Sequence, residues 1–202
     1  YCNNRNGTFT NVTRAARLSE PAAYGAIGIA LGDYDMKGRL DILINGLDAG
    51  PNRLYHNDGN WRFTEGSKKA GVIQPPHNGF GCFFFDYNND GLLDIYICRV
   101  GNYETLKSKN QLLICQGIDK SGVPFYKDEA ASYGLDFSGF STQVAFFDYD
   151  MDGDLDMFLL NHSVHENGTF RPRGEFTGTY HPLSGDRIYR NNGNNTFTDV
   201  TK

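Results

Sequence analysis

Three stretches of this chain repeat one pattern, and the best formed is Asp148-Tyr-Asp-Met-Asp-Gly-Asp-Leu-Asp156. Acidic side chains stand at positions 1, 3, 5 and 9, with glycine at position 6. Apolar runs enter the stretch (Val144 to Phe147) and leave it (Leu155, Met157 to Leu160). Carboxylates crowded this closely repel one another, so the spacing makes sense with a hard cation among them. Oxygen ligands at alternate positions and a glycine for the sharp turn are what a calcium loop requires. Two further copies, Asp86 to Asp94 and Asp33 to Asp41, carry the pattern above chance; the three starts lie 53 and 62 residues apart.

A second signature recurs between the loops. It reads Tyr1-Cys-Asn-Asn with Phe9, Leu54-Tyr-His-Asn with Phe63, Leu113-Ile-Cys with Phe125, and Ile188-Tyr-Arg-Asn with Phe197. A short apolar strand, an Asn/Gly turn and an aromatic strand make hairpin grammar. Each period therefore predicts four strands. In the second unit these are 80–86, 94–100, 111–116 and 124–128, with continuous apolar runs suited to strands buried on both faces. A four-stranded unit repeating at this interval predicts the blade of a β-propeller. The expected fold is all-β, a partial propeller of about three and a half antiparallel blades. Its expected parts are the outer half of a preceding blade at 1–12 and whole blades at 24–66, 79–129 and 140–201. The last carries an insertion at 162–186. Fewer than four blades do not close, so an open arc and a longer parent chain that supplies the missing blades are expected.

Composition agrees with short strands and tight turns, since aromatics are 14% of the chain and glycines number 24. The net charge of −5 offers no basic stripe for phosphates, which argues against a nucleic-acid partner. The acidity concentrates in the loops and reads as a metal signal. No apolar run reaches the ~20 residues of a membrane helix. Both ends of the sequence read as cut.

The two signatures together resemble the FG-GAP/VCBS repeat family, including the calcium-binding blades of integrin α-subunit propellers. The nearest likeness is to bacterial secreted VCBS-repeat proteins that resemble cartilage acidic proteins. The resemblance implies, and the spacing supports, calcium ligation by side chains at positions 1, 3, 5 and 9 with the carbonyl at position 7. In the third loop these are Asp148, Asp150, Asp152 and Asp156, with the carbonyl of Asp154. In the second they are Asp86, Asn88, Asp90 and Asp94, with the carbonyl of Leu92. An EF-hand would need a 12-residue loop ending in Glu between helices, and neither condition is met. In the first loop Lys37 takes position 5, and its ammonium is expected among Asp33, Asp35 and Asp41 in place of the cation. Two calcium sites are expected, with the first loop calcium-free. The metal would serve folding rather than catalysis.

Other features are weaker. Cys2, Cys82, Cys98 and Cys115 form no CxxC pair. Cys82 and Cys98 lie symmetrically about the second loop and should face one another, either as a cross-strand disulfide or as buried free thiols. His162 and His165 have HxxH spacing, with His181 beyond; loop histidines are commoner than ligands. Trp61 and the many tyrosines could form a sugar platform, but blade packing is the commoner use of such aromatics and is the expectation here. Sequons stand at Asn6, Asn11, Asn161, Asn167 and Asn194. No nucleophile elbow, P-loop or zinc-protease motif occurs. The functional expectation is a non-enzymatic binding or adhesion module, secreted, on the cell surface or periplasmic, with a protein or glycan ligand. The alternative is a fragment of a propeller-based polysaccharide lyase or other carbohydrate-active enzyme, with Arg171, Arg173 and the histidines of the insertion meeting substrate acids.

Overall fold

The computed structural model describes residues 1–18, 25–46, 50–73, 79–103, 106–162 and 180–201. The chain opens on a small hairpin of β1 (Cys2–Asn3) and β2 (Phe9–Thr10). The first sheet contains β3 (Ala26–Gly32), β4 (Asp41–Gly46), β5 (Arg53–Gly59) and β6 (Arg62–Glu65), followed by a single helical turn, α1 (Ser67–Ala70). The second contains β7 (Gly79–Phe85) and β8 (Asp94–Arg99), then a side hairpin of β9 (Gly101–Tyr103) and β10 (Leu106–Lys107), then β11 (Gln111–Ile118) and β12 (Pro124–Asp128). A second helical turn, α2 (Ala130–Tyr133), leads to β13 (Ser141–Phe147), β14 (Asp156–Asn161), β15 (Arg187–Asn191) and β16 (Phe197–Asp199).

All three sheets are antiparallel meanders, in the orders β3-β4-β5-β6, β7-β8-β11-β12 and β13-β14-β15-β16. Their first strands are neighbours, with β7 packed between β3 and β13. The result is a propeller-like stack of sheets whose second strands carry the core. All six residues of β8 are buried, because both of its faces meet another sheet. One face gives Ile95 and Ile97 to a cluster with Leu43, Leu54 and Val72 of the first sheet's side. The other gives Tyr96 and Cys98 to a cluster with Val144, Met157 and Leu159 of the third. Phe85 and Phe146 stack at 3.9 Å between centroids, and Tyr96 meets Phe146 edge-on at 5.9 Å, so the second boundary is closed by aromatic contact.

The helical turns repeat as well. Each ends on a left-handed glycine, Gly71 (φ 75) or Gly134 (φ 76), where a side chain would be strained. A Cβ on Gly71 would stand 3.3 Å from the Tyr126 carbonyl, and one on Gly134 3.1 Å from that of Phe197. Each turn thus tucks under the fourth strand of the next sheet. Tyr126 therefore occupies the place that Phe197 holds in the third sheet.

This corrects the expected alignment of aromatics. Phe63 and Phe197 are buried opposite Asn57 and Asn191, but Phe125 is exposed and Tyr126 pairs with Cys115. A register shift between Cys115 and Ile118, where β11 runs two residues beyond its expected end, moves the buried position by one. Phe9 keeps the register, opposite Asn3, yet is exposed.

The expected facing of Cys82 and Cys98 is also overturned. A register shift between Gly79 and Cys82 pairs Cys82 with Ile97, so Cys82 lies in the cluster with the first sheet and Cys98 in the cluster with the third. The two thiols point to opposite faces, and both are free and buried. Trp61 is not in the packing either. Asn60 (φ 51) and Trp61 (φ 58) form the two-residue turn between β5 and β6, which leaves the indole exposed.

Candidate functional site

The three acidic loops join the first and second strands of the three sheets, and they are one structure built three times. Position 1 accepts both turning amides. Asp33 takes the Lys37 and Gly38 N–H groups at 2.9 and 2.6 Å. Asp86 takes those of Asp90 and Gly91 at 3.1 and 2.9 Å, and Asp148 those of Asp152 and Gly153 at 3.2 and 3.1 Å. Position 4 is left-handed in all three loops, at Met36 (φ 55), Asn89 (φ 55) and Met151 (φ 61), and so is the glycine at position 6. The loop therefore demands a glycine at one place and tolerates strain at another.

Position 9 is the deeper element. Asp41, Asp94 and Asp156 are each 0% exposed. One oxygen accepts the position-2 amide, from Tyr34 (3.2 Å), Tyr87 (3.4 Å) or Tyr149 (3.0 Å). The other accepts an amide of the third strand, from Asn57 (2.7 Å), Cys115 (2.8 Å) or Asn191 (2.8 Å). One buried carboxylate thus joins the loop, the second strand and the third strand of each sheet. Spacing alone reveals the candidate ligand at position 9, but not this reach to the third strand.

The residue that carries that third-strand amide shows how sequence changes are absorbed. Asn57 and Asn191 turn their side-chain amides onto the position-8 carbonyls of Leu40 (2.9 Å) and Leu155 (3.2 Å). Cys115 lacks such a donor. In its sheet the hydroxyl of Tyr126 donates to Leu93 instead, at 3.2 Å.

The loops differ in what fills the frame. In the third, oxygens of Asp148, Asp150 and Asp156 converge so that all lie within 4.8 Å of one another. Asp152 is not in that group and accepts the Asp154 amide at 3.0 Å. Lost hydration, followed by the nearby charges of Asp152 and Asp156, holds the Asp150 carboxyl above its ordinary range. In the second, Asn88 donates to Asp90 at 2.9 Å and Asp90 accepts the Leu92 amide at 2.7 Å. Burial pushes the Asp94 carboxyl up to about 7, against the opposing amides of Cys115 and Tyr87 and with help from the charges of Asp90 and Asp86. Both donor sets are hard oxygens, which suit calcium better than a soft metal, but only in the third loop do three carboxylates converge; Asp86, Asp90 and Asp94 of the second do not.

The first loop is filled from within. Lys37 Nζ sits 2.6 Å from Asp35. It is not shared among the three acids as the sequence suggests. His56 of β5, absent from the sequence reading of this loop, takes the remaining place: its Nδ1 lies 3.1 Å from Asp41 and its Nε2 3.7 Å from Asp35. Burial raises the Asp41 carboxyl, while the Asn57 amide and His56 lower it. The turn after β11 lies against this group: a Cβ on Gly122 would stand 2.9 Å from Lys37 Nζ. The signal that could have found His56 is its place one residue before the amide that meets position 9.

Other expected residues play smaller parts. His162 is exposed, His181 Nδ1 accepts the amides of Leu183 and Ser184 at 3.2 Å, and His165, Arg171 and Arg173 lie outside the described residues. Among the described residues no helix is long and apolar enough to cross a membrane.

Sheets of this order, joined by loops of this spacing, repeat three times, and comparison with known proteins finds a repeat match over part of the chain. The FG-GAP-like repeat matches residues 33–97, from the first loop through the second and into β8. The resemblance drawn from the motifs holds in that respect. The chain is also similar to cartilage acidic protein 1. It is 26% identical to that of Homo sapiens over 182 residues, covering 88% of this chain and 26% of that protein. It is 28% identical to that of Mus musculus over 144 residues, covering 71% of this chain and 21% of that protein. The chain spans about a quarter of the length of these relatives.

Proposed function

We propose that this chain is a calcium-stapled segment of an extracellular β-propeller that binds a protein or glycan ligand and does no chemistry of its own. The observation that carries the calcium reading is the third loop, where three aspartates converge on one point although their charges repel. Calcium would be held there by Asp148, Asp150, Asp152 and Asp156 with the Asp154 carbonyl, and in the second loop by Asp86, Asn88, Asp90 and Asp94 with the Leu92 carbonyl. When bound, the ion supplies positive charge and a fixed link between positions 1 and 9. The chain's own part is to hold position 9 rigid, through its bonds to the loop and the third strand. Binding to the folded state alone stabilises that state by mass action. Loops open to solvent and rich in carboxylates suit the high free calcium outside cells, which supports the extracellular setting.

The similarity to cartilage acidic protein 1 and to the FG-GAP-like repeat supports a binding role over catalysis. The further blades expected of a whole propeller belong to the parent chain in this reading. Calorimetric titration of metal-free protein with calcium tests it: two sites are expected. No heat, and no shift of the melting temperature on adding EDTA to the calcium-loaded protein, would overturn it.

A further inference from the structure

The two boundaries between sheets are built alike and finished differently. At the first, Lys37 and His56 fill the loop and the turn at Gly122 lies against them. Lys69 of α1 also pairs with Asp119 and Ser121 of that turn. At the second, a cavity of about 190 Å³ opens between the second loop and the hairpin joining β15 to β16. Asn88 and Asn89 line it from the loop, Asn191 and Asn195 from the hairpin, and Tyr87 and Asp154 complete it.

The polar groups here are fixed but not used up. The Tyr87 hydroxyl has one proton and lies 2.5 Å from Asn195 Oδ1 and 3.0 Å from the Tyr133 hydroxyl. Asn195 Oδ1 can only accept, so Tyr87 donates to it and Tyr133 donates to Tyr87. That chain orients the Asn195 amide and leaves its nitrogen to donate elsewhere. The side chains of Asn89 and Asp154 and the Asn195 nitrogen make no hydrogen bond to a described residue. Asn89 (φ 55) and Asn195 (φ 63) both sit in the left-handed region, which presents them from tight turns.

We propose that this cleft binds one ring of a neutral saccharide through adjacent hydroxyl groups. A hydroxyl both donates and accepts, and a pair of them is matched by a carboxylate that accepts beside amides that donate. Asp154 with Asn89 and Asn195 supplies that set. No lysine, arginine or histidine lines the cavity, and Asp154 repels anions, so uronic and sialic acids are disfavoured. The volume lies below the ~300 Å³ at which sites for larger small molecules begin, which suits a single ring or a chain end. A site of this polarity rejects ligands without the hydroxyls, since its own groups would be left unpaired. The inference rests on the binding-module reading and narrows its ligand.

The test is a titration of calcium-loaded, ¹⁵N-labelled protein with methyl α-mannoside, methyl β-galactoside and N-acetylglucosamine, with galacturonate as the anionic arm. At least one neutral sugar is expected to shift the amide signals of Asn89, Asp154 and Asn195 saturably, and galacturonate is expected to leave them still. Asp154→Ala and Asn195→Ala should each weaken binding tenfold or more. Asn195 lies outside the acidic loops, so the calcium stoichiometry of Asn195→Ala should match that of the unsubstituted protein. Lys37→Ala, at the filled boundary, should leave sugar binding unchanged. The inference is overturned if no neutral sugar moves those three signals, if galacturonate binds equally, or if Asp154→Ala binds as well as the parent. A failure of the wider reading shows separately, as absent calcium uptake in the same samples before any sugar is added.

Discussion

In the first acidic loop Asp33 holds the amides of Lys37 and Gly38; in the third, Asp148 holds those of Asp152 and Gly153. Both place a fully buried aspartate at position 9, bonded to the loop and to the third strand. Yet the interior of the first is occupied by Lys37 and His56, and that of the third by three converging aspartates. The hairpin frame is therefore made by backbone amides and two aspartates, and it does not depend on which positive charge balances the rest. Lys37 at position 5 supplies the positive charge of the first loop, and position 9 holds the sheet in both.

Substitutions at position 9 give the largest expected effect and probe the shared half of that statement. Asp41→Ala and Asp156→Ala each strand one buried and one half-buried amide, at about 1–3 kcal/mol for a buried one, so a loss of about 3 kcal/mol is expected in urea unfolding. The loss should appear in both loops and persist in EDTA. If only Asp156→Ala destabilises, and only with calcium present, the frame is made by metal after all.

The unshared half is tested next. Calcium at a hundred times its dissociation constant should add about 2.7 kcal/mol per site to unfolding stability. Asp150→Ala should remove one site's share, whereas Asp35→Ala should leave the calcium-dependent part unchanged. Lys37→Asp should raise calcium stoichiometry by one in calorimetry; unchanged stoichiometry would mean that His56 and the covering turn at Gly122 exclude the ion even without the lysine.

Gly153→Ala tests the turn alone. Its φ is 96 and nothing stands within 4 Å of an added Cβ, so the cost is conformational, about 1 kcal/mol in thermal unfolding. The smallest effect concerns the pairing that crosses the first boundary. Asp119 is held well below its ordinary range by Lys69 first and then by Ser121. A lowered folded pKa contributes stability above the unfolded value of ~3.9 that is lost as pH falls through the folded one. Acid melting curves should therefore drop slightly less for Lys69→Ala than for the parent, and high salt should erase the difference.

Much of this was legible in the residues. Recurrence of the Asp-x-x-x-x-Gly-x-x-Asp spacing marks where each hairpin turns, because only glycine relieves the left-handed position 6 and only a short acid accepts the turning amides. Apolar runs such as Cys82 to Phe85 and Ile95 to Ile97 mark strands buried on both faces. Register was not legible. A single shifted residue before Cys82 separates it from Cys98, and another after Cys115 replaces Phe125 with Tyr126, since side chains alternate faces with a period of two.

Sequence by itself determined the repeat, the strand order within each sheet and the acids at each turn, because these rest on local spacing and backbone conformation. Tertiary structure decided which side chains reach each loop from outside it. His56 comes from another strand, Gly122 from another sheet, and Asn195 reaches Tyr87 across a boundary between sheets. Contacts of that kind depend on how sheets stack, and no local pattern in the chain encodes which side chains will meet there.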